Sequence, residues 1–276
     1  MSKVPFITLH NGVAMPQLGF GVWQVPDDEA EQTVTTALEA GYRSIDTAAI
    51  YGNETGTGKA VTGSGIARDE LFVTTKVWNS DQGYDATLRA FDASLGKLGL
   101  DQVDLYLIHW PMPARDTYVD TYRALEKIHA DGRAKAIGVS NFQPEHLQRL
   151  IDETSVVPAV NQIELHPQLQ QSALRDFHAK HGIATEAWSP LGQGKDLLQA
   201  PTVVAVARKH DRTPAQVVLR WHLQMGNVVI PKSVTPSRIR ENIDVFDFEL
   251  DADDMAAFAA LDEGKRLGPE PANVNS

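Results

Sequence analysis

Four ionisable side chains have types and spacing that could do chemistry together: Asp46 and Tyr51 in "DTAAIYGNE", Lys76 in "LFVTTKVWN" and His109 in "DLYLIHWP". A tyrosine with an ordinary pKa near ~10 releases its proton slowly at neutral pH unless something stabilises the phenolate. An ammonium within a few ångströms does so, and a carboxylate beside that ammonium keeps it charged in a partly desolvated pocket. Lys76 and Asp46 fit these two parts. A neutral imidazole from His109 would hold a carbonyl oxygen beside the phenol, so that two hydrogen bonds polarise the C=O. Reduction then needs a hydride, which none of these side chains supplies, so the chemistry calls for a reduced cofactor. The same lysine could instead attack a carbonyl to form a Schiff base, with Tyr51 as proton shuttle, although pairing to Asp46 argues against a free amine.

Each of these residues, taken alone, has a plainer explanation. An aspartate after a strand is commonly a turn residue, and a tyrosine at a barrel mouth commonly packs. Convergence of all four on one small volume is the stronger argument, and it depends on the elements that carry them. Eight short apolar runs recur along the chain: "LGFGVW", "YRSID", "LFVTTKVW", "VDLYLIHW", "AKAIGVS", "AVNQIEL", "IATEAWS" and "VVIPKS". Amphipathic segments separate them. In "DDEAEQTVTTALEAG", for example, Ala30, Val34, Ala37 and Leu38 share one helical face and Gly41 supplies the stop. Eight alternating strand and helix units in one chain of 276 residues predict a single (β/α)8 barrel (TIM barrel) domain over residues 1–276, with no linker dividing it. In "FITLHNGVAMPQ", Asn-Gly between apolar runs predicts a β-hairpin with a two-residue turn, capping the bottom of the barrel. The Gly-, Pro- and Asn-rich "GKRLGPEPANVNS" predicts an irregular tail over a barrel mouth. Trp221, in "VVLRWHLQ", is expected to pack.

In such a barrel the site lies at the C-terminal ends of the strands. Those ends carry Asp46 with Tyr51 after it, Lys76, His109, Ser140 and Asn141, Gln162 and Glu164, Trp188 and Ser189, then Lys232 and Ser233.

Composition narrows the function classes. A net charge of -11 disfavours a general role on nucleic acid, whose phosphates demand a basic surface. The absence of cysteine removes disulfides, thiolate nucleophiles and cysteine-ligated metals, and no metal site is expected. No apolar run reaches signal-peptide or membrane-span length, so a cytoplasmic location without membrane contact is expected. Within this acidic chain, "IPKSVTPSRIRENIDVFDF" gathers Lys232, Arg238 and Arg240 with Ser233 and Thr235 at a helix start, the pattern of a phosphate site. Neither "GTGK" nor "GQGK" completes a dinucleotide-fold or P-loop glycine spacing, so a dinucleotide here would bind without a Rossmann turn.

Taken together, "LGFGVWQ", "GYRSIDTAAIYGNE", "LFVTTKVWN", "DLYLIHWP", "IGVSNF", "NQIELHP", "WSPLGQG" and "IPKSVTPSRIRENIDVFDFEL" resemble the aldo-keto reductase superfamily over essentially the whole chain, most closely the bacterial branch containing the 2,5-diketo-D-gluconate reductases. The resemblance implies a catalytic tetrad of Asp46, Tyr51, Lys76 and His109, with Tyr51 the proton donor. It implies NADPH extended across the barrel mouth. Ser140, Asn141 and Gln162 would meet the carboxamide, and Trp188, at a position more often tyrosine in the superfamily, would stack on the nicotinamide. Ser189, Leu191, Gln193 and Gly194 would wrap the pyrophosphate. Lys232, Ser233, Val234 and Arg238 would meet the adenosine 2′-phosphate, Glu241 and Asn242 would contact adenine, and Ile230 would also touch the cofactor. Thr235 stands where some members carry a further arginine, which implies a weaker preference for NADPH over NADH. The substrate pocket would be lined by Trp23, Trp78 and Trp110 with Tyr51 and His109 at its base. Short loops imply an open pocket for small ketones, dicarbonyls and sugar-derived keto acids, and the family pattern implies a monomer. Some relatives are regulatory partners of channels, but retention of all four tetrad residues argues for turnover.

Overall fold

The computed structural model describes residues 4–274; residues 1–3 and 275–276, which the single-domain expectation includes, lie outside the described residues. The chain opens with an antiparallel hairpin, β1 (Phe6–Thr8) and β2 (Ala14–Pro16). Its turn differs from the expected two-residue type. Leu9 N–H donates to Val13 O and Gly12 N–H to Leu9 O, so His10, Asn11 and Gly12 form a three-residue loop. Of those three only Gly12 has positive φ, 86°, whereas a two-residue turn on Asn-Gly needs it at both residues.

Eight parallel strands follow: β3 (Phe20–Gly21), β4 (Ser44–Asp46), β5 (Phe72–Val77), β6 (Val103–Ile108), β7 (Ala134–Ser140), β8 (Val160–Glu164), β9 (Ala184–Trp188) and β10 (Val228–Val229). Each pairs with its sequence neighbour. The first and last are joined by Gly19 N–H to Val229 O, Val229 N–H to Gln17 O and Gly21 N–H to Pro231 O, which closes the barrel. Both closing strands are shorter than the apolar runs that predict them.

Between the strands run α1 (Asp27–Ala40), α2 (Glu54–Gly63), α3 (Tyr84–Leu98), α4 (Tyr118–Ala130), α5 (Pro144–Glu153), α6 (Ser172–His181), α7 (Pro201–Lys209) and α8 (Pro214–Gln224), with α9 (Pro236–Ile243) and α10 (Ala252–Ala259) after β10. In α1 the buried face holds Ala30, Val34, Ala37 and Leu38, and Gly41 ends the helix at φ 108°. α7 and α10 depart from the alternation of one helix per strand, since two helices separate β9 from β10 and two follow β10. Trp221 of α8 stacks on Phe258 of α10 at 5.9 Å between ring centroids, so it packs as expected.

Alternation along the strands divides the barrel interior into two zones. Near the bottom, Phe72, Leu105, Leu107, Ala136, Val160 and Val228 form an apolar plug with Leu9 and Met15 of the hairpin region. Further along the same inward rows stand Lys76, Ser140, Gln162 and Glu186. The apolar floor leaves these polar groups to satisfy one another or a ligand at the C-terminal mouth.

Candidate active site

Asp46 ends β4, and Lys76 is the last inward residue of β5. Lys76 Nζ donates to Asp46 Oδ1 at 2.6 Å, to Thr47 O at 2.9 Å and to Tyr51 Oη at 3.5 Å, which uses all three ammonium hydrogens. Burial works against the charge on Lys76, but the Asp46 carboxylate and the nearby Tyr51 outweigh it and raise its pKa. Lys76 is therefore ammonium at neutral pH.

Tyr51 reaches this lysine because the chain turns sharply after β4. Residues Ala49–Tyr51 make one 3-10 turn, and Gly52 at φ 68° reverses the chain into α2. Asn53, by position the cap of α2, does not cap it with its side chain. Its Oδ1 accepts from Thr47 Oγ1, while Nδ2 donates to Val22 O and Val25 O at 2.8 Å each. Asn53 thus ties the Trp23 loop to the loop bearing Tyr51. Burial raises the Tyr51 pKa; the Lys76 ammonium opposes that rise and the Asp46 carboxylate adds to it. The expected acidification by Lys76 is present but does not prevail, and the phenol keeps its proton across the neutral range.

His109 follows β6. Its ring meets Tyr51 edge-on at 5.6 Å and Trp78 edge-on at 5.1 Å between centroids. Burial, and then the Lys76 charge, hold its pKa well below the ordinary histidine value, so the imidazole is neutral. Trp110, 8% exposed, is the next residue, and its carbonyl accepts from Gln82 Nε2. Trp23 is 46% exposed on its loop beyond β3. Tyr51, Trp78 and His109 are in direct contact, whereas Trp23 is linked to them through Asn53 and the chain.

Across the mouth, Asn141 sits at φ 66° immediately after β7. Its Nδ2 donates to His109 O, and its Oδ1 accepts from Trp188 Nε1 at 2.8 Å, which fixes the indole at the end of β9. Ser140 Oγ donates to Gln162 O. Gly192, Gln193 and Gly194 have φ of 58°, 57° and 67°, a left-handed turn that only glycine adopts without cost, with Ser189 at 49° and Leu191 between. Ile230 is buried beside Gly21, where an added Cβ would stand 3.0 Å from Ile230 O. Ser233 Oγ accepts from Thr235 N–H at the start of α9. Val234 is exposed, and the side chains of Lys232, Arg238 and Arg240 make no ion pair or hydrogen bond among the described residues. Glu241 accepts from Thr213 Oγ1, and Asn242 is 4% exposed.

The tail does lie over the mouth. Glu164, at the end of β8, accepts from Leu267 N–H at 2.6 Å and Gly268 N–H at 3.0 Å. Gly268 passes so close to Trp188 that a Cβ there would stand 2.6 Å from the indole.

Two participants escape the sequence reading. Asn53 looks like a helix cap. Glu186 lies in the middle of "IATEAWS", two residues before Trp188 and therefore on the same inward row, and that parity is the signal that could have found it. It is buried, and its Oε2 accepts from Gln162 Nε2 at 2.8 Å.

The family model described as Aldo/keto reductase family matches residues 15–263. An aldo-keto reductase of Mycolicibacterium smegmatis is 60% identical over 271 residues, 98% of each chain. Methylglyoxal reductase DkgA of Escherichia coli is 54% identical over 272 residues, again 98% of each. Among solved structures, a mutant of Gox0644 in complex with NADPH superposes with a TM-score of 0.95 at 53% identity over 99% of both chains. An aldo/keto reductase from Brucella melitensis superposes with a TM-score of 0.93 at 60% identity, over 95% of this chain and 99% of its own. With a family match across most of its length and relatives this similar end to end, the chain belongs to the aldo/keto reductase family.

Proposed function

We propose that the chain is an NADPH-dependent reductase of small aldehydes, ketones and dicarbonyls, with methylglyoxal and 2,5-diketo-D-gluconate as the substrate types to try first. The observation that carries this reading is the Lys76 ammonium, which bonds Asp46 and Tyr51 at once, with neutral His109 against the same phenol. Relatives named methylglyoxal reductase and a neighbour solved with NADPH support the substrate class and the cofactor.

The residues present fit NADPH. Lys232 and Arg238 are cations without counter-ions among the described residues of a protein of net charge -11, next to a helix start, as a 2′-phosphate requires. Trp188 is held rigid by Asn141 and offers an indole for stacking. Ser140, Asn141 and Gln162 would meet the carboxamide; Ser189, Leu191, Gln193 and Gly194 the pyrophosphate; Ser233 and Val234 the 2′-phosphate beside Lys232 and Arg238; Glu241 and Asn242 the adenine; and Ile230 would also contact the cofactor. The bound cofactor supplies the hydride.

The protein's own residues do the rest. Tyr51 Oη and the His109 imidazole donate to the substrate carbonyl oxygen, and Trp23, Trp78 and Trp110 hold the remainder of the substrate. As negative charge develops on that oxygen, Tyr51 releases its proton to it. The Lys76 ammonium stabilises the phenolate left behind, and Asp46 keeps that ammonium charged. A Schiff-base role for Lys76 is disfavoured, because its three hydrogens are engaged and its pKa is raised. The chain is proposed to act as a cytoplasmic monomer; among the described residues no helix is long and apolar enough to cross a membrane. Incubation with NADPH and a panel of carbonyls, methylglyoxal and diketones included, tests the function. Loss of the reduced-nicotinamide absorbance is expected, and no turnover on any member would overturn the reading.

A further inference from the structure

Glu186 is a buried carboxyl that makes no ion pair among the described residues. Strand register explains where it stands: Gln162 of β8 is paired with Ser140 of β7 on one side and with Glu186 of β9 on the other. Gln162 Nε2 has two hydrogens. One goes to Asp46 Oδ2 and the other to Glu186 Oε2, both at 2.8 Å. Reversing this amide would set its oxygen against the Asp46 carboxylate, so that carboxylate fixes its orientation. With Asp46 as sole partner, one N–H would be free and the broad terminal torsion of glutamine would let the amide swing. With acceptors on two different strands the amide is held in place, and Oε1 is its one polar atom left to accept from a ligand.

We propose that Glu186 is a positioning residue for the cofactor: by taking the second Nε2 hydrogen of Gln162, it aims Oε1 of Gln162 at the N–H of the nicotinamide carboxamide and so gives the protein its selectivity for a ring bearing that amide. This rests on the reading that Gln162 meets the carboxamide. Burial, and then the Asp46 charge, push the Glu186 pKa up to about 8, so it stands beside the Asp46 carboxylate as a neutral acid at neutral pH. A second buried carboxyl is thereby tolerated next to the Asp46–Lys76 pair.

The test uses NADP+ and its acetylpyridine analogue, in which a methyl group replaces the carboxamide NH2. Dissociation constants for both are measured by quenching of tryptophan fluorescence in the whole protein and in its variants. The wild type is expected to prefer NADP+ by about three- to tenfold, the scale of one hydrogen bond. Glu186→Ala should bring the two constants within about twofold of each other, while Glu186→Gln, which keeps an acceptor oxygen, should retain the wild-type ratio. If the alanine variant folds poorly, Glu186→Leu fills a similar volume without an acceptor and should behave as Glu186→Ala does. Gln162→Ala separates the two readings. If Gln162→Ala loses the preference and the alanine or leucine variant at 186 keeps it, the role of Glu186 is overturned. If Gln162→Ala itself keeps the preference, the carboxamide assignment falls, and this inference falls with it.

Discussion

Lys76 Nζ lies 2.6 Å from Asp46 Oδ1 in a part of the barrel where neither side chain is more than 3% exposed. Such a pair contributes little net stability when intact, because desolvation offsets the attraction, but removing one member leaves a buried charge uncompensated. Lys76→Met is therefore expected to destabilise the fold by about 3–5 kcal/mol. Calorimetry should find Tm lower by roughly 6 °C or more. A variant as stable as the wild type would mean that water reaches Asp46.

Stability should also carry the signature of Glu186. Its folded pKa is raised to about 8 by burial and by Asp46, with Gln162 and Lys76 acting against the rise. The folded state therefore holds a proton that the unfolded state has lost between the ordinary glutamate value and about 8. That contribution is fully present below the window and disappears as pH rises through it, by at most about 1.4 kcal/mol per pH unit. Denaturant titrations of wild type and Glu186→Gln at several pH values should show the wild type losing ground to the variant as pH rises towards 8, then a constant difference. A constant difference throughout would contradict the raised pKa.

Near α9 stand cations that have no ion pair among the described residues, Arg238 among them. Arg238→Ala should weaken NADPH binding by about 1.5–3 kcal/mol, the scale of a charge-assisted hydrogen bond, and leave NADH binding nearly unchanged. Equal losses for both would mean that Arg238 does not meet the 2′-phosphate.

The tail gives another. A Cβ on Gly268 would meet the Trp188 indole at 2.6 Å and Glu164 Oε2 at 3.1 Å. Gly268→Val should push the tail or the indole aside and weaken NADPH by about three- to tenfold, one hydrogen bond's worth of contact. Fluorescence titration reads this directly, and unchanged affinity would mean that the tail moves without disturbing Trp188.

Much of the barrel is legible in the sequence because parallel strands buried on both faces leave continuous apolar runs, and because glycines such as Gly41 end the helices between them. The hairpin turn is not, since Asn-Gly suits both a two-residue turn and a type I turn ending in left-handed glycine, and only register separates them. In the site, Asp46, Lys76 and His109 are legible from their place at strand ends, and the approach of Tyr51 to Lys76 follows from the short loop between β4 and α2. The parts that stay hidden are those whose partners are distant in sequence. Asn53 bonds Val22 and Val25, and Glu186 bonds Gln162, contacts that residue type alone does not announce. The charge balance on Tyr51 is hidden for a related reason, because the degree of burial that opposes Lys76 depends on the whole mouth.

In the proposed carbonyl reduction everything turns on Tyr51 as the proton donor. Tyr51→Phe keeps the ring against His109 and removes only the hydroxyl, so it isolates that step. Turnover of NADPH with methylglyoxal or a diketone, measured beside NADPH affinity, is expected to fall by about 100- to 10,000-fold, the range for loss of a general acid, with the dissociation constant within about twofold of wild type. Near-wild-type turnover by Tyr51→Phe would contradict the account.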